Sequence, residues 1–359
     1  MAKILLKGNE AIAEAAIKAG CRFFFGYPIT PQNQIPEYMS RRLPEVGGTF
    51  LQAESEISAI NMVYGAAGAG ARVMTSSSSP GISLKQEGIS YIACAKLPCV
   101  IVNMVRSGPG LGGILAAQSD YFQAVKGGGH GDYRLIVYAP NSVQEAADCV
   151  MEAFEASDCY RVPAMILGDG MIGQMMEPVE FREPKKRALP EKTWAATGYD
   201  GKKPRAVINS LYIEAEQMNE VCNQLAATYR QIEQNETQYE KYMMDDADIC
   251  VVAYGTTSRI AKNAINKARA EFGIKAGIIR PITVWPFPTV VIADAAQRCK
   301  AFLAAEMSMG QMVEDVRLSV NGKRPVHFIG TTGGVIPTPD MIINKLCAIK
   351  EGISHGGSV

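Results

Sequence analysis

Apolar residues fall into short runs, with stretches of helical spacing between them. Residues 21–26, with Phe23, Phe24 and Phe25, read as a strand, as do 49–52, 72–75, 99–105, 135–139 and 164–167. Residues 8–19, 56–71 and 84–95 carry small and apolar side chains at helical spacing. Strands alternating with helices predict a parallel sheet covered on both faces, here over residues 1–178. At about residue 179 the pattern changes. Lys, Arg, Glu and Pro dominate, and then 213–239 reads as one amphipathic helix with Ile213, Met218, Val221, Leu225, Tyr229 and Ile232 near one face. Residues 179–248 therefore read as a linker that packs. A second alternating run has strands at 249–254, 276–280, 301–305 and 326–329, each followed by a helical pattern. It predicts a smaller α/β domain over 249–359.

Composition narrows the function classes. The chain has 359 residues and 47% hydrophobic residues, enough for two sizeable cores. Its formal net charge is zero, which argues against a general nucleic-acid binder. No apolar run reaches the roughly 18 residues of a membrane span. The start, Met1-Ala2-Lys3-Ile4-Leu5-Leu6-Lys7, meets charge too early for a signal peptide, so a cytoplasmic protein is expected. Nine cysteines are present, none in a Cys-x-x-Cys pair. Neither a disulfide framework nor a zinc site follows, an iron–sulfur cluster held by this chain alone is disfavoured, and buried reduced thiols are the better reading.

Glycine-rich segments raise the question of nucleotides. Gly65, Gly68 and Gly70 precede a strand, the wrong order for a dinucleotide fingerprint, and suit close helix packing instead. Gly108-Pro109-Gly110-Leu111-Gly112-Gly113 does follow a strand and keeps an NAD-type dehydrogenase open as an alternative. Against it, Asp132 precedes the next strand where a ribose-binding acid should end it, and Pro109 lacks a backbone donor. Gly168-Asp169-Gly170 matches the opening of the magnesium-diphosphate motif of thiamine enzymes. The asparagines expected about 25 residues later are missing from Trp194-Ala195-Ala196-Thr197-Gly198, so oxygen ligands to magnesium are incomplete.

Several segments together resemble the alpha subunit of the 2-oxoacid:ferredoxin oxidoreductases. They are Gly26-Tyr27-Pro28-Ile29-Thr30-Pro31; Glu54-Ser55-Glu56, with Thr75-Ser76-Ser77-Ser78-Ser79-Pro80-Gly81; Arg106-Ser107-Gly108-Pro109, with Gln118-Ser119-Asp120; Arg280 through Pro288; and Glu306-Met307-Ser308-Met309-Gly310-Gln311. They keep the family's order and span nearly the whole chain, and look most like the branched-chain (3-methyl-2-oxobutanoate) type. Two departures are small: Ser79 stands where glycine is commoner before Pro-Gly, and Ser107 where glycine often follows the arginine. The resemblance implies an α/β fold: a pyrimidine-binding-type parallel sheet for thiamine diphosphate, then a transketolase C-terminal-like domain. A beta subunit would carry the diphosphate-binding domain, magnesium and a 4Fe-4S cluster. Gamma and ferredoxin-like subunits, ferredoxin, coenzyme A and the 2-oxoacid complete the expected partners of this enzyme of anaerobic metabolism. Neither nucleic acid nor membrane is among them.

The implied site follows. Glu56 is the candidate carboxyl that shares a proton with the cofactor's aminopyrimidine, work best done in an apolar setting. As a residue it could equally be a helix N-terminal carboxylate favoured by the dipole, and Glu54 is the fallback on the same face of an extended segment. Thr30, held between Pro28 and Pro31, is expected to donate to a substrate oxygen; a plain turn threonine is the plainer reading. Arg106, at a strand's carboxyl end, is expected to grip the 2-oxoacid carboxylate, or else to be a surface arginine capping a loop. Tyr27, Pro28 and Ser79 join Glu56 as cofactor contacts. Further candidates are Gln118, Asp120 and His130, one of only three histidines and flanked by glycines. Glu306 is expected to organise the second domain. Leu111, Ile114 and Leu115 suit an aliphatic substrate tail or a buried core. The same family acting on 2-oxoglutarate or pyruvate, and a noncatalytic partner that stabilises a beta subunit, remain alternatives.

Overall fold

The computed structural model describes residues 3–182, 187–199, 201–202 and 204–354. The first two residues of the start read for a leader, and parts of the charged linker, lie outside the described residues. In order, the first half contains β1 (Ile4–Lys7), α1 (Gly8–Lys18), β2 (Phe23–Gly26), α2 (Gln34–Glu45), β3 (Thr49–Gln52), α3 (Glu56–Gly68), β4 (Val73–Ser77), α4 (Pro80–Cys94), β5 (Val100–Val105), α5 (Tyr121–Val125), β6 (Ile136–Tyr138), α6 (Val143–Tyr160), β7 (Ala164–Asp169), α7 (Gly170–Gln174) and β8 (Met176–Val179). The second contains α8 (Ala215–Asn235), β9 (Tyr239–Tyr242), β10 (Ile249–Val252), α9 (Gly255–Phe272), β11 (Ala276–Pro281), β12 (Thr283–Trp285), α10 (Thr289–Arg298), β13 (Ala301–Glu306), α11 (Met312–Val320), β14 (Val326–Gly330) and α12 (Pro339–Ser354).

A seven-stranded sheet has the order β12-β6-β7-β5-β4-β2-β3, parallel except where β12 joins β6 antiparallel. β4, β5 and β7 are buried along their whole length, which explains why their apolar runs show no alternation. A five-stranded sheet, β14-β13-β10-β11-β9, is parallel apart from β9. β1 and β8 form a small antiparallel pair.

The two halves interlock more than the apolar pattern suggested. The helix expected over 213–239 is α8, which buries Val221, Leu225 and Ile232. Ile213 lies before it and is 84% exposed, so it is not part of the buried stripe. The chain then straightens into β9, which pairs with β11 of the second sheet. In return, β12 leaves the second run and extends the first sheet, pairing Thr283 with Tyr138. The close helix contact also lies elsewhere than expected. A Cβ on Gly88 of α4 would sit 2.6 Å from Ile60 of α3, whereas Gly65 has open space around it. Gly68 and Gly70 instead face Ile208 and Ala195 of the connecting segment.

Of two buried polar hubs, one pins the halves together and the other braces the second half from within. The Arg280 guanidinium, on β11, is 4% exposed; it donates twice to Glu145 of α6 (2.8 and 2.7 Å) and once to Glu240 of β9 (2.8 Å). Glu306 is 1% exposed and accepts from the backbone N–H groups of Gln311, Met312 and Val313, capping the start of α11. That is the organising role expected of it. Removing one partner of a buried ion pair typically costs about 3–5 kcal/mol. Both carboxylates of the Arg280 hub keep contact with solvent, so Arg280→Met is expected to cost less, on the order of 2–3 kcal/mol, read as a lowered urea midpoint with unchanged slope.

Candidate active site at the carboxyl ends of β2 to β5

Four adjacent parallel strands, β5-β4-β2-β3, end on one edge of the large sheet, and each exit carries a polar side chain. In open α/β sheets this is where ligands bind. After β2 the chain runs through Tyr27, half-buried, and Pro28, exposed, to Thr30, which is also exposed. This loop is tied down from behind. The Gln32 amide donates to the Tyr27 carbonyl at 3.1 Å, and Asn9 and Gln174 donate to the Pro31 carbonyl at 2.8 and 3.0 Å.

After β3, Ser55 caps α3 by accepting from Ser58 N–H at 3.3 Å. Glu54 is exposed and accepts from the Ser58 hydroxyl at 2.7 Å. Glu56 is 6% exposed and turns inward. A Cβ placed on Gly81 would lie 2.5 Å from Glu56 Oε1 and 2.1 Å from Ser77 Oγ, so the carboxyl occupies room that only a glycine leaves. Capping thus assigns the two acids different surroundings although they are two residues apart.

After β4 comes the turn at Ser79, with φ 25° and ψ −84°. That region favours glycine, which accounts for the family's usual residue there. Here the serine is held by its partners. Its N–H donates to Asn103 Oδ1 (3.1 Å), its hydroxyl to Asp120 Oδ2 (2.7 Å), and it accepts from Arg106 N–H (3.1 Å). Asn103 Nδ2 also donates to Asp120 at 2.9 Å, and burial pushes the Asp120 carboxyl up from its ordinary range.

After β5, Arg106 is 7% exposed, not a surface arginine. It donates to the Thr30 carbonyl at 3.0 Å and to the Leu111 carbonyl at 2.9 Å, while its Nε has no partner. Ser77 and Ser78 hydroxyls are likewise buried and unpartnered. Beside this edge lies a cavity of about 660 Å³, lined by Ser79, Ser83, Gly108, Asp120, Met307 and Gln311 among others. Thr30, Glu56, Ser79 and Arg106 are therefore brought to one edge, with Asp120 at the cavity. Thr30, Glu56 and Arg106 stand outside the cavity lining; next to Glu56 along the chain, Ile57 is 51% exposed, and Leu84 of α4 is 50% exposed.

The remaining candidates go elsewhere. Gln118 spends its side chain between the two halves: Nε2 donates to the Tyr254 carbonyl (2.9 Å), while Oε1 accepts from Thr257 (2.7 Å) and Met307 N–H (2.9 Å). His130 lies at the far end of α4, edge-on to Tyr91 with ring centroids 5.9 Å apart, beside Cys94 and Cys222. Leu111, Ile114 and Leu115 are 83%, 61% and 59% exposed on a loop, neither core nor a closed pocket. The glycines around them do not open a helix, since the next one is α5, starting at Tyr121; the dinucleotide reading loses its phosphate site. Asp169 is 3% exposed and caps α7 (3.0 and 3.1 Å to Met171 and Ile172 N–H) while accepting from Thr256 at 3.0 Å. A carboxylate so engaged is a structural link. Among the buried polar residues that escaped the sequence reading are Asn103 and Lys85. A lone asparagine inside the apolar run of β5 was the available signal.

Residues 14–241 match the family model described as pyruvate flavodoxin/ferredoxin oxidoreductase, thiamine diP-bdg, and 247–342 match pyruvate:ferredoxin oxidoreductase core domain II. The chain belongs to the 2-oxoacid:ferredoxin oxidoreductase family. It is an enzyme subunit of that family, and thiamine diphosphate is its cofactor. Its α/β fold with parallel sheets is the family's, a thiamine-diphosphate-binding domain followed by a C-terminal domain. The chain is 50% identical to ketoisovalerate oxidoreductase subunit VorB of Methanothermobacter marburgensis over 96% of this chain and 97% of that protein. It is 38% identical to 2-oxoglutarate synthase subunit KorA of the same organism, over 96% and 98%. A 2-oxoglutarate:ferredoxin oxidoreductase from Magnetococcus marinus, solved with 2-oxoglutarate, coenzyme A and succinyl-CoA, superposes with a TM-score of 0.86 at 25% identity. That match covers 96% of this chain and 65% of that one.

The family's cofactor fits this edge, judged from the residues present. A buried carboxyl lies over Gly81, and the Ser77 hydroxyl and Arg106 Nε are buried without partners. Asp120 also makes a pH prediction. Its folded pKa lies above its unfolded one, so the folded state holds the extra proton, and stability falls as pH rises from about 4 through the folded value. Asp120→Asn should remove that fall: the stability gap between pH 4 and pH 7 in urea unfolding is expected to narrow relative to the unmodified chain.

Proposed function

We propose that this chain is the alpha-type subunit of an oxidoreductase that converts a branched-chain 2-oxoacid, coenzyme A and oxidised ferredoxin into the acyl-CoA, carbon dioxide and reduced ferredoxin. The observation that carries the reading is the gathering of Thr30, Glu56, Ser79 and Arg106 at neighbouring strand ends. The substrate class rests on 50% identity to a ketoisovalerate oxidoreductase subunit against 38% to a 2-oxoglutarate synthase subunit. Asp169 is committed to capping and to Thr256, which supports a diphosphate site on another chain. That partner beta subunit would bring magnesium and the 4Fe-4S cluster; gamma and ferredoxin-like subunits would complete a cytoplasmic complex. Ile57 and Leu84, exposed beside Glu56, suit coverage by the partner.

Thiamine diphosphate, when bound, supplies the nucleophilic carbon and the electron sink for decarboxylation. Glu56 shares a proton at its carboxyl with a ring nitrogen of the pyrimidine, its buried setting keeping water from competing. Tyr27, Pro28 and Ser79 would contact the cofactor beside it. Thr30, on a loop pinned through Pro31, donates its hydroxyl to a substrate oxygen. Arg106 offers its unpartnered Nε, and the N–H groups now on carbonyls, to the 2-oxoacid carboxylate.

Turnover of the co-purified complex with a low-potential dye, against a panel of 2-oxoacids, tests the reading. The highest kcat/KM is expected for 3-methyl-2-oxobutanoate; a preference for 2-oxoglutarate or pyruvate would reassign the substrate. Glu56→Gln is expected to lower kcat by about 10²–10⁴ while the subunits still co-purify. Arg106→Lys, which loses the planar fork, should raise KM for the 2-oxoacid about tenfold or more with a smaller change in kcat.

A further inference from the structure

Burying a hydroxyl without a hydrogen-bond partner is unfavourable, so each such group calls for an explanation. Strand β4 runs into a series of hydroxyl side chains, and most of them are engaged. Thr75 donates to the Phe25 carbonyl at 2.6 Å and accepts from the Lys85 amine at 2.5 Å, Ser76 donates to Gln32, and Ser79 donates to Asp120 at 2.7 Å. Ser77 and Ser78 are completely buried, and their hydroxyls have no partner.

Of these two, Ser77 is the one that shares the space over Gly81 with Glu56. It stands two residues from Thr75 along β4, so both side chains lie on the face that α4 covers. Lys85 of α4 meets Thr75, and Gly81, one turn earlier, meets Ser77. A Cβ on Gly81 would lie 2.1 Å from Ser77 Oγ and 2.5 Å from Glu56 Oε1, so the two oxygens are no further apart than those two distances added together. A gap of that size closes with a rotamer change at Ser77 or a small movement of the carboxyl. An alanine at position 77 would fill the same place without leaving a hydroxyl unpaired. What the serine adds is one donor beside the carboxyl.

We propose that Ser77 is a positioning residue for the Glu56 carboxyl: its hydroxyl donates to Oε1 as the carboxyl turns to the cofactor, and leaves Oε2 to face the pyrimidine ring. The inference rests on the role given to Glu56 above. The bond is made as the carboxyl turns, so its free energy counts toward holding the cofactor and not toward folding.

That separation is what the experiment reads. In urea unfolding of the full chain, Ser77→Ala removes a hydroxyl that no group in the fold satisfies, and the midpoint is expected to stay or rise. A lowered midpoint would mean that the hydroxyl is already bonded within the fold, to a buried water or to the carboxyl, and would overturn the proposal. In the assembled oxidoreductase, Ser77→Ala is expected to raise the Kd for thiamine diphosphate with magnesium about tenfold. The Kd for inorganic diphosphate with magnesium, which lacks the ring, should stay the same. An unchanged Kd for the cofactor, or equal weakening of both, would overturn the proposal. The same substitution is then made in Glu56→Ala. A residue that acts through Glu56 has no further effect on cofactor affinity there, whereas the same loss in both backgrounds would show that Ser77 acts independently and would sink the pairing. Unaltered cofactor affinity in Glu56→Ala itself would sink the role of Glu56 and the proposal with it; unaltered affinity in Ser77→Ala alone sinks only the proposal.

Discussion

The close approach of α3 and α4 is the constraint on which the site depends. Two glycines on one face of α4 let the helices meet, Gly88 against Ile60 and Gly81 against the Glu56 carboxyl. A side chain at Gly81 would collide with Glu56 and Ser77. The acid is buried because the neighbouring helix has nothing at that point.

Around that seam, the parallel sheet does the gathering. β5, β4, β2 and β3 lie side by side in an order that differs from their order along the chain, and all run the same way, so their exits deliver Thr30, Glu56, Ser79 and Arg106 to a single edge. The second sheet closes one side of this edge, through Gln118 on Tyr254, Thr257 and Met307 and through Glu306 holding the turn before α11. The other side, at Thr30 and Ile57, stays exposed. That open side, with the incomplete Gly-Asp-Gly segment, is where the proposed function puts a second chain.

Much of this was legible in the residues. Alternating apolar runs implied two α/β units, and short segments after predicted strands carried the resemblance and most of the site. The errors have a common cause. A pattern along the chain shows which face is apolar, not what lies opposite. Leu111, Ile114 and Leu115 looked like pocket or core and are exposed. Gln118 looked like a ligand contact and is a clamp, because its partners are more than a hundred residues away. β9 and β12 were hidden because β9 leaves the linker to edge the second sheet and β12 leaves the second run to edge the first.

By itself the sequence determined the order of elements, the family, and which chemistry-bearing residues sit at strand exits, since these depend on local spacing and short segments. Only the tertiary structure decided which acid is buried. Glu54 and Glu56 differ by two positions, and a single cap at Ser55 sends one to solvent and the other under α4. It also decided that Lys85 is buried against Thr75. Burial and charge pairing are properties of surfaces brought together from separate helices, and no local pattern on either helix contains them.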